Sequence, residues 1–162
     1  MSEVSEVPQA DWEVWKNFMV MRRQLERALE RQLQSDASLS MPEHEILLTL
    51  FRSKDKQLRA RDLGETIAWE KSRVSHQVSR MEQRGLVKRV ECGDDARGVW
   101  VTLTPEGSRA VLGAMRDHTR TIRKYFFDVL SADELATLKR ITGNVLDAID
   151  PPACDELDEK SA

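Results

Sequence analysis

Residues 70–107, EKSRVSHQVSRMEQRGLVKRVECGDDARGVWVTLTPEG, decide the fold, because a helical period gives way within them to a strand period. From about Lys71 to Arg84, Val74, Val78 and Met81 recur at i, i+4 and i+7, which makes one narrow apolar stripe on an α-helix. At about 100° per residue, Ser72, Ser75, His76, Ser79 and Gln83 fall opposite that stripe, with Arg73 and Arg80 along one flank. This outward face offers hydroxyls, an imidazole, an amide and two guanidinium groups, and no carboxylate. Gly85 then supplies the left-handed residue that a helix end favours. Leu86–Cys92 and Val99–Thr104 are rich in β-branched residues, with Val99, Val101 and Leu103 alternating against Trp100 and Thr102. Between them, Gly93 to Gly98 form a glycine-bounded loop that carries Arg97. The stretch reads as a helix, a glycine stop and a two-stranded hairpin with an arginine at its tip.

Upstream, residues 1–10 lack periodicity and read as a mobile tail. Apolar residues from Trp12 to about Gln34, among them Trp12, Trp15, Phe18, Met19, Met21, Leu25, Leu29 and Leu33, follow a helical period. A helix of that length must lie against a partner or another chain. Ser35–Leu39 is a polar break. Ser40 with Glu43 is a capping box that opens a helix to about Arg52, with Ile46, Leu47, Leu50 and Phe51 inward. Leu58 marks a very short strand. Arg61 to about Trp69 is a short helix with Leu63, Ile67 and Ala68 inward, and a tight turn joins it to the helix at 71. Two short helices so joined make a helix-turn-helix.

Downstream, Thr104-Pro105 is a helix start, with Thr as cap and Pro in the first turn. Helical spacing then runs to about Leu130. Ser131 with Glu134 is a second capping box. It opens a last helix with Leu135, Leu138, Ile141, Val145, Leu146 and Ile149 on one face, ending at Pro151-Pro152. The expected fold class is therefore mainly α with a small β-hairpin that follows a helix-turn-helix, with long amphipathic helices at both ends of the chain. The divisions are a flexible tail (1–10), an N-terminal helix (11–36), a helix-turn-helix and hairpin lobe (37–104), C-terminal helices (105–150) and a disordered acidic tail (151–162).

Composition narrows the function. No apolar run of about 18 residues exists, so no membrane span is expected, and the acidic N-terminus lacks the pattern of a signal peptide. Cys92 and Cys154 make neither a disulfide framework nor a metal spacing, which fits a reducing cytoplasm. Cys92 reads as a plain strand cysteine rather than an oxidant sensor. The net charge of −3 hides an asymmetry: residues 54–109 hold 12 Lys and Arg against 9 Asp and Glu, so the middle is basic and the ends acidic. There is no phosphate-binding glycine loop, no Cys/His cluster and no nucleophile with a base at a known spacing. No enzyme, cofactor or metal is expected. His44, flanked by Glu43 and Glu45, reads as a surface histidine, because sequence neighbours on a helix point in different directions.

Nucleic-acid binding is favoured by three features. A helix with Arg, Ser and Gln on its outward face suits the major groove. An arginine at a hairpin tip suits the negative potential of the minor groove. Lys71, Lys88 and Arg89 are available to phosphates, which position a protein without reading sequence. Each has a blander counterpart: Arg80 and Arg84 solvating the helix, Ser72 capping it, Lys88 or Arg89 pairing with Glu91. Arg97 pairs with Asp94 or Asp95, or meets DNA braced by an aspartate, the combined version being preferred.

The sequence resembles the MarR family of winged-helix regulators. The resemblance rests on Ser72-Arg73-Val74-Ser75 and Gln77-Val78, on Glu82-Gln83-Arg84-Gly85-Leu86-Val87, on Asp95-Ala96-Arg97-Gly98, and on Val101-Thr102-Leu103-Thr104-Pro105-Glu106-Gly107. It implies that residues 37–104 are a winged helix-turn-helix DNA-binding lobe and that 11–36 and 105–150 build a helical dimerisation lobe, in a cytoplasmic homodimer whose first and last helices interlock, with two recognition helices in successive major grooves of a pseudo-palindromic duplex DNA operator. It also implies a repressor released by a small lipophilic or phenolic ligand. Lys71, Ser72, Arg73, Ser75, His76, Gln77, Arg80, Lys88, Arg89, Asp95 and Arg97 are the expected DNA contacts. Trp12, Trp15, Phe18, Met19 and Met21 are read as dimer core rather than ligand pocket. The alternative function is a winged-helix protein-interaction adaptor without operator specificity.

Overall fold

Helix boundaries follow the capping chemistry. In the computed structural model, which describes residues 7–91 and 99–149, the Ser40 N–H and hydroxyl donate to the Glu43 carboxylate at 2.8 and 2.9 Å, and the Glu43 N–H donates back to Ser40 Oγ. This reciprocal cap opens α2 (Met41–Arg52). The Ser131–Glu134 pair repeats it at the start of α6 (Ala132–Ile149). At α5 (Pro105–Tyr125), Thr104 Oγ1 accepts from the Gly107 N–H at 2.9 Å. Each cap satisfies N–H groups that the helix leaves unpaired at its first turn.

The remaining elements are α1 (Gln9–Ala37), β1 (Gln57–Arg59), α3 (Ala60–Thr66), α4 (Lys71–Gln83), β2 (Val87–Glu91) and β3 (Val99–Leu103), with 3-10 turns at Lys54–Lys56 and Phe127–Val129. The strands form one antiparallel sheet in the order β1-β3-β2. In it Leu58 faces Val101 and Val87 faces Leu103. The expected fold class, mainly helical with a hairpin wing, is what the chain adopts.

Several boundaries differ from the periodicity. Helix α1 runs on to Ala37, past the expected polar break, and Ser38 then turns left-handed at φ 52° so that Leu39 drops into the core. Helix α5 stops at Tyr125 rather than near Leu130, and Phe126 and Phe127 meet edge to face, 5.3 Å apart, at the corner. Ala68 was expected inward. It is exposed and left-handed at φ 52°, because it closes α3: its N–H reaches the Glu65 carbonyl and that of Trp69 reaches Gly64.

The core gathers Ile46, Leu47 and Leu50 of α2, Leu63 of α3, Val74, Val78 and Met81 of α4, Val87, Val101 and Leu103 of the sheet, and Val111 and Ala114 of α5. Only Leu33 of α1 is buried, and no residue of α6 is. Trp12, Trp15, Phe18 and Met21 on α1 and Ile141, Val145, Leu146 and Ile149 on α6 are all exposed. Both helices thus leave large apolar side chains facing solvent, of the kind that interfaces use. Among the described residues no helix is long and apolar enough to cross a membrane.

Candidate nucleic-acid interface

Helix α4 is fixed from behind by Val74, Val78 and Met81, each at most 2% exposed. The stripe read from the sequence therefore faces the core, and the opposite side is open. Lys71, Ser72, Arg73, Ser75, His76 and Arg80 are exposed there and Gln77 is half-buried. Ser72 does not cap the helix: the cap position is Glu70 and makes no side-chain bond. The helix ends in a left-handed Gly85 at φ 70°, with the Gly85 N–H on the Glu82 carbonyl and the Leu86 N–H on that of Met81.

The arginines take three different places. Arg73 lays its guanidinium over the Trp69 indole, 3.7 Å from the ring centre, which ties the first turn of α4 to the turn before it. Arg80 stands exposed. Arg89, on β2, folds back onto α4. Its Nη1 donates to Glu82 at 2.7 Å, its Nη2 to the Ser75 carbonyl and to Ser79 Oγ at 2.9 Å each, and its backbone N–H to Glu82 at 2.9 Å. That backbone N–H, with the guanidinium, holds the Glu82 carboxyl below its ordinary range. Arg89, expected as a phosphate contact with a Glu91 pairing as the alternative, instead pairs with Glu82, which approaches from the helix side. Lys88 alternates to the other face of β2 and is exposed.

Arg84, which the sequence left as a solvating residue, is also engaged. Its Nη1 donates to the Glu43 carboxylate at 2.6 Å and its Nη2 to the Ser38 carbonyl at 2.8 Å. Burial pushes the Glu43 carboxyl up, but the Ser40 N–H and Arg84 outweigh it and leave it below the usual range. Sequence reasoning missed Glu43 and Trp69 as partners: neither pairing has a periodic signature, and Arg84 and Glu43 are 41 residues apart.

The wing is anchored by the pairing of β2 with β3 from Val87↔Leu103 to Glu91↔Val99. Arg59 lies 5.6 Å from the Trp100 ring centre beside it. Asp95, Arg97 and Cys92 lie outside the described residues. An open cleft of about 1830 Å³ runs between α1, the start of α2 and the α5–α6 corner, with Met21, Leu25, Glu45, Arg73, Phe126 and Leu138 among its walls. Burial holds the Glu45 carboxyl above its ordinary range, with Arg73 opposing the shift.

A helix-turn-helix whose second helix is open to solvent, followed by an antiparallel hairpin, is a winged helix. The family model described as MarR family matches residues 37–98. The chain is 30% identical to Sco3205, a MarR family transcriptional regulator from Streptomyces coelicolor whose structure is a complex with DNA. The match covers 96% of this chain and 97% of that one, with a TM-score of 0.87. It is 29% identical to AbsC, another MarR family transcriptional regulator of that organism, over 90% of this chain and 98% of that one, at a TM-score of 0.84. The PcaV transcriptional regulator of S. coelicolor, in complex with its natural ligand, is 26% identical over 80% and 92% of the two chains, at a TM-score of 0.67. No curated protein matches the sequence. The chain belongs to the MarR family of transcriptional regulators.

Proposed function

We propose that the protein is a cytoplasmic, dimeric, sequence-specific DNA-binding regulator of transcription that acts as a ligand-released repressor. The observation that carries this is the carboxylate-free, exposed outward side of α4 from Lys71 to Arg80, held rigid by a fully buried stripe behind it. Arg73, Ser75, His76 and Arg80 are assigned to base edges in the major groove, with Ser72 and Gln77 at the margin. Lys71 and Lys88 are assigned to phosphates, and Arg97, braced by Asp95, to the minor groove. Arg89 is assigned to holding the wing against α4 rather than to a free phosphate contact. Arg73 is assigned to meet its base edge from its stack over Trp69.

The exposed apolar faces of α1 and α6 are assigned to the homodimer, and Trp12, Trp15, Phe18 and Met21 to its core. The cleft between α1 and the α5–α6 corner is assigned to a small lipophilic or phenolic effector. The DNA complex of Sco3205 and the ligand complex of PcaV support these assignments.

The test is selection of sites by the full-length protein from a random duplex pool. The expected result is one pseudo-palindromic sequence bound by a dimer, with affinity falling as salt rises. Failure to enrich any sequence, together with no retention on a DNA column at low salt, would favour the protein-interaction adaptor, to which the net charge of −3 is better suited.

A further inference from the structure

The reading lobe joins the dimerisation helices through two connectors, the bend at Ser38–Ser40 between α1 and α2, and the Thr104 junction between β3 and α5. Both are bonded to the three consecutive residues that follow α4, the first connector to Arg84 and the second to Gly85 and Leu86. On one side, Arg84 forks between the Glu43 carboxylate and the Ser38 carbonyl, 2.6 and 2.8 Å away. Glu43 is itself only 5% exposed and also accepts from the Ser40 N–H and hydroxyl, and the Met41 N–H donates to Glu30 of α1 at 2.7 Å. On the other side, the Thr104 hydroxyl lies 2.7 Å from the Gly85 carbonyl and 2.9 Å from that of Leu86, and the Thr104 N–H donates to Leu86 at 3.2 Å.

A planar guanidinium held by two acceptors on different segments resists rotation about either bond. Adding or removing one base pair between half-sites moves them by about 3.4 Å and rotates them by roughly 35°. The stiffness of the joint between lobe and dimer therefore decides how sharply a spacing is discriminated. We propose that Arg84 and Glu43 are positioning residues that fix the reading lobe against the dimerisation helices and so set the half-site spacing the dimer accepts. This rests on the reading of the protein as a dimeric operator-binding regulator.

The experiment uses the full-length dimer and three duplexes: the operator selected by the wild type, and versions with its centre lengthened or shortened by one base pair. Wild-type protein is expected to prefer the selected spacing by about tenfold or more. Glu43→Gln and Arg84→Gln are expected to keep dimer mass, helix content and affinity for random DNA, while the spacing preference falls at least about threefold. Glu43 is the informative position, since a side chain so buried reaches no DNA. An unchanged preference in both variants overturns the proposal. So does Arg84→Gln weakening every duplex alike while Glu43→Gln is silent, which makes Arg84 a phosphate contact. If Glu43→Gln loses helix content, Arg84→Lys decides: an ammonium lacks the fork, so the preference must fall while the Glu43 charge stays paired. If the wild type selects no operator, the regulator reading itself falls, and this inference with it.

Discussion

The imidazole of His44 on α2 packs against that of His118 on α5, ring centres 4.4 Å apart and planes tilted by 45°. His118 Nδ1 lies 3.2 Å from the Gln32 side-chain oxygen, so the pair joins three helices. His44, expected on the surface, is only 4% exposed, and its Nε2 has no hydrogen-bond partner among the described residues. Sequence neighbours did point elsewhere, as expected. Helices α5 and α1 close over this side of α2 through His118 and Gln32, which spacing within one helix does not reveal.

This burial predicts acid sensitivity. Burial first, then His118 and Arg52, pull His44 down to about 4 from 6.5, and burial also lowers His118. Below pH 6.5 the unfolded chain takes up a proton at His44 that the folded chain refuses until about pH 4. Stability is therefore full above pH 6.5 and falls as the pH drops toward 4, by roughly 2–3 kcal/mol for this group. Denaturant unfolding of wild type and His44→Leu at pH 7.5, 6.0 and 5.0 checks it: the variant should lose less on acidification. The lowered carboxyls of Glu43 and Glu82 lose their contribution as the pH falls from 4.5 through their folded values, below the three pH values of the test, and Glu45, held high by burial, acts with the opposite sign and alike in both proteins. Parallel curves for the two proteins would remove His44 as the cause.

Two glycines of α5 should respond oppositely to alanine. A Cβ on Gly107 would lie 2.1 Å from the Leu86 carbonyl oxygen and 2.9 Å from Leu103, whereas one on Gly113 meets nothing within 4 Å. Gly107→Ala should lower stability by roughly 1–3 kcal/mol despite alanine's better helix propensity, since backbone must move. Gly113→Ala should raise it by up to about 1 kcal/mol. Thermal melts decide. A neutral Gly107→Ala would mean that the Leu86–Thr104 junction gives way cheaply.

Local signals carried the reading far and then stopped at identifiable points. The stripe of Val74, Val78 and Met81, the capping boxes at Ser40 and Ser131 and the left-handed Gly85 depend on residues within one or two turns, and all form as read. The unpartnered faces of α1 and α6 were legible because their lengths exceed what one small lobe can cover. Pairings across elements were not legible. Arg89 chose Glu82 over Glu91 because the chain reverses at Gly85 and brings β2 alongside α4. Whether a half-exposed arginine reads DNA or braces the fold depends on such reversals, and composition is blind to them.

Arg73 tests how far bracing and reading combine in one residue. Its guanidinium covers Trp69 and also borders the cleft beside Glu45. Arg73→Ala should cut the preference for operator over random DNA by about tenfold, corresponding to 1–3 kcal/mol for a base-edge contact. Trp69→Ala should produce part of the same loss by freeing the arginine. Competition binding with both duplexes separates the possibilities. Equal weakening on operator and random DNA would instead make Arg73 a phosphate contact.

Arg97 carries the last prediction. The pairing of β2 with β3 runs from Val87↔Leu103 out to Glu91↔Val99, and the sequence that joins the two strands holds three charged residues, Asp94, Asp95 and Arg97. The proposed minor-groove role rests on the chemistry of arginine, whose thin cationic side chain suits that groove and whose charge displaces condensed cations. In a dimer two copies act, so Arg97→Ala should flatten the dependence of log affinity on log salt by about 2 while weakening operator and random DNA together. Asp95→Ala should leave that slope close to wild type and reduce affinity less, because it removes only the brace. Titrations at four salt concentrations measure both. An Arg97→Ala slope equal to wild type would take the wing out of the interface and leave α4 as the whole of the reading surface.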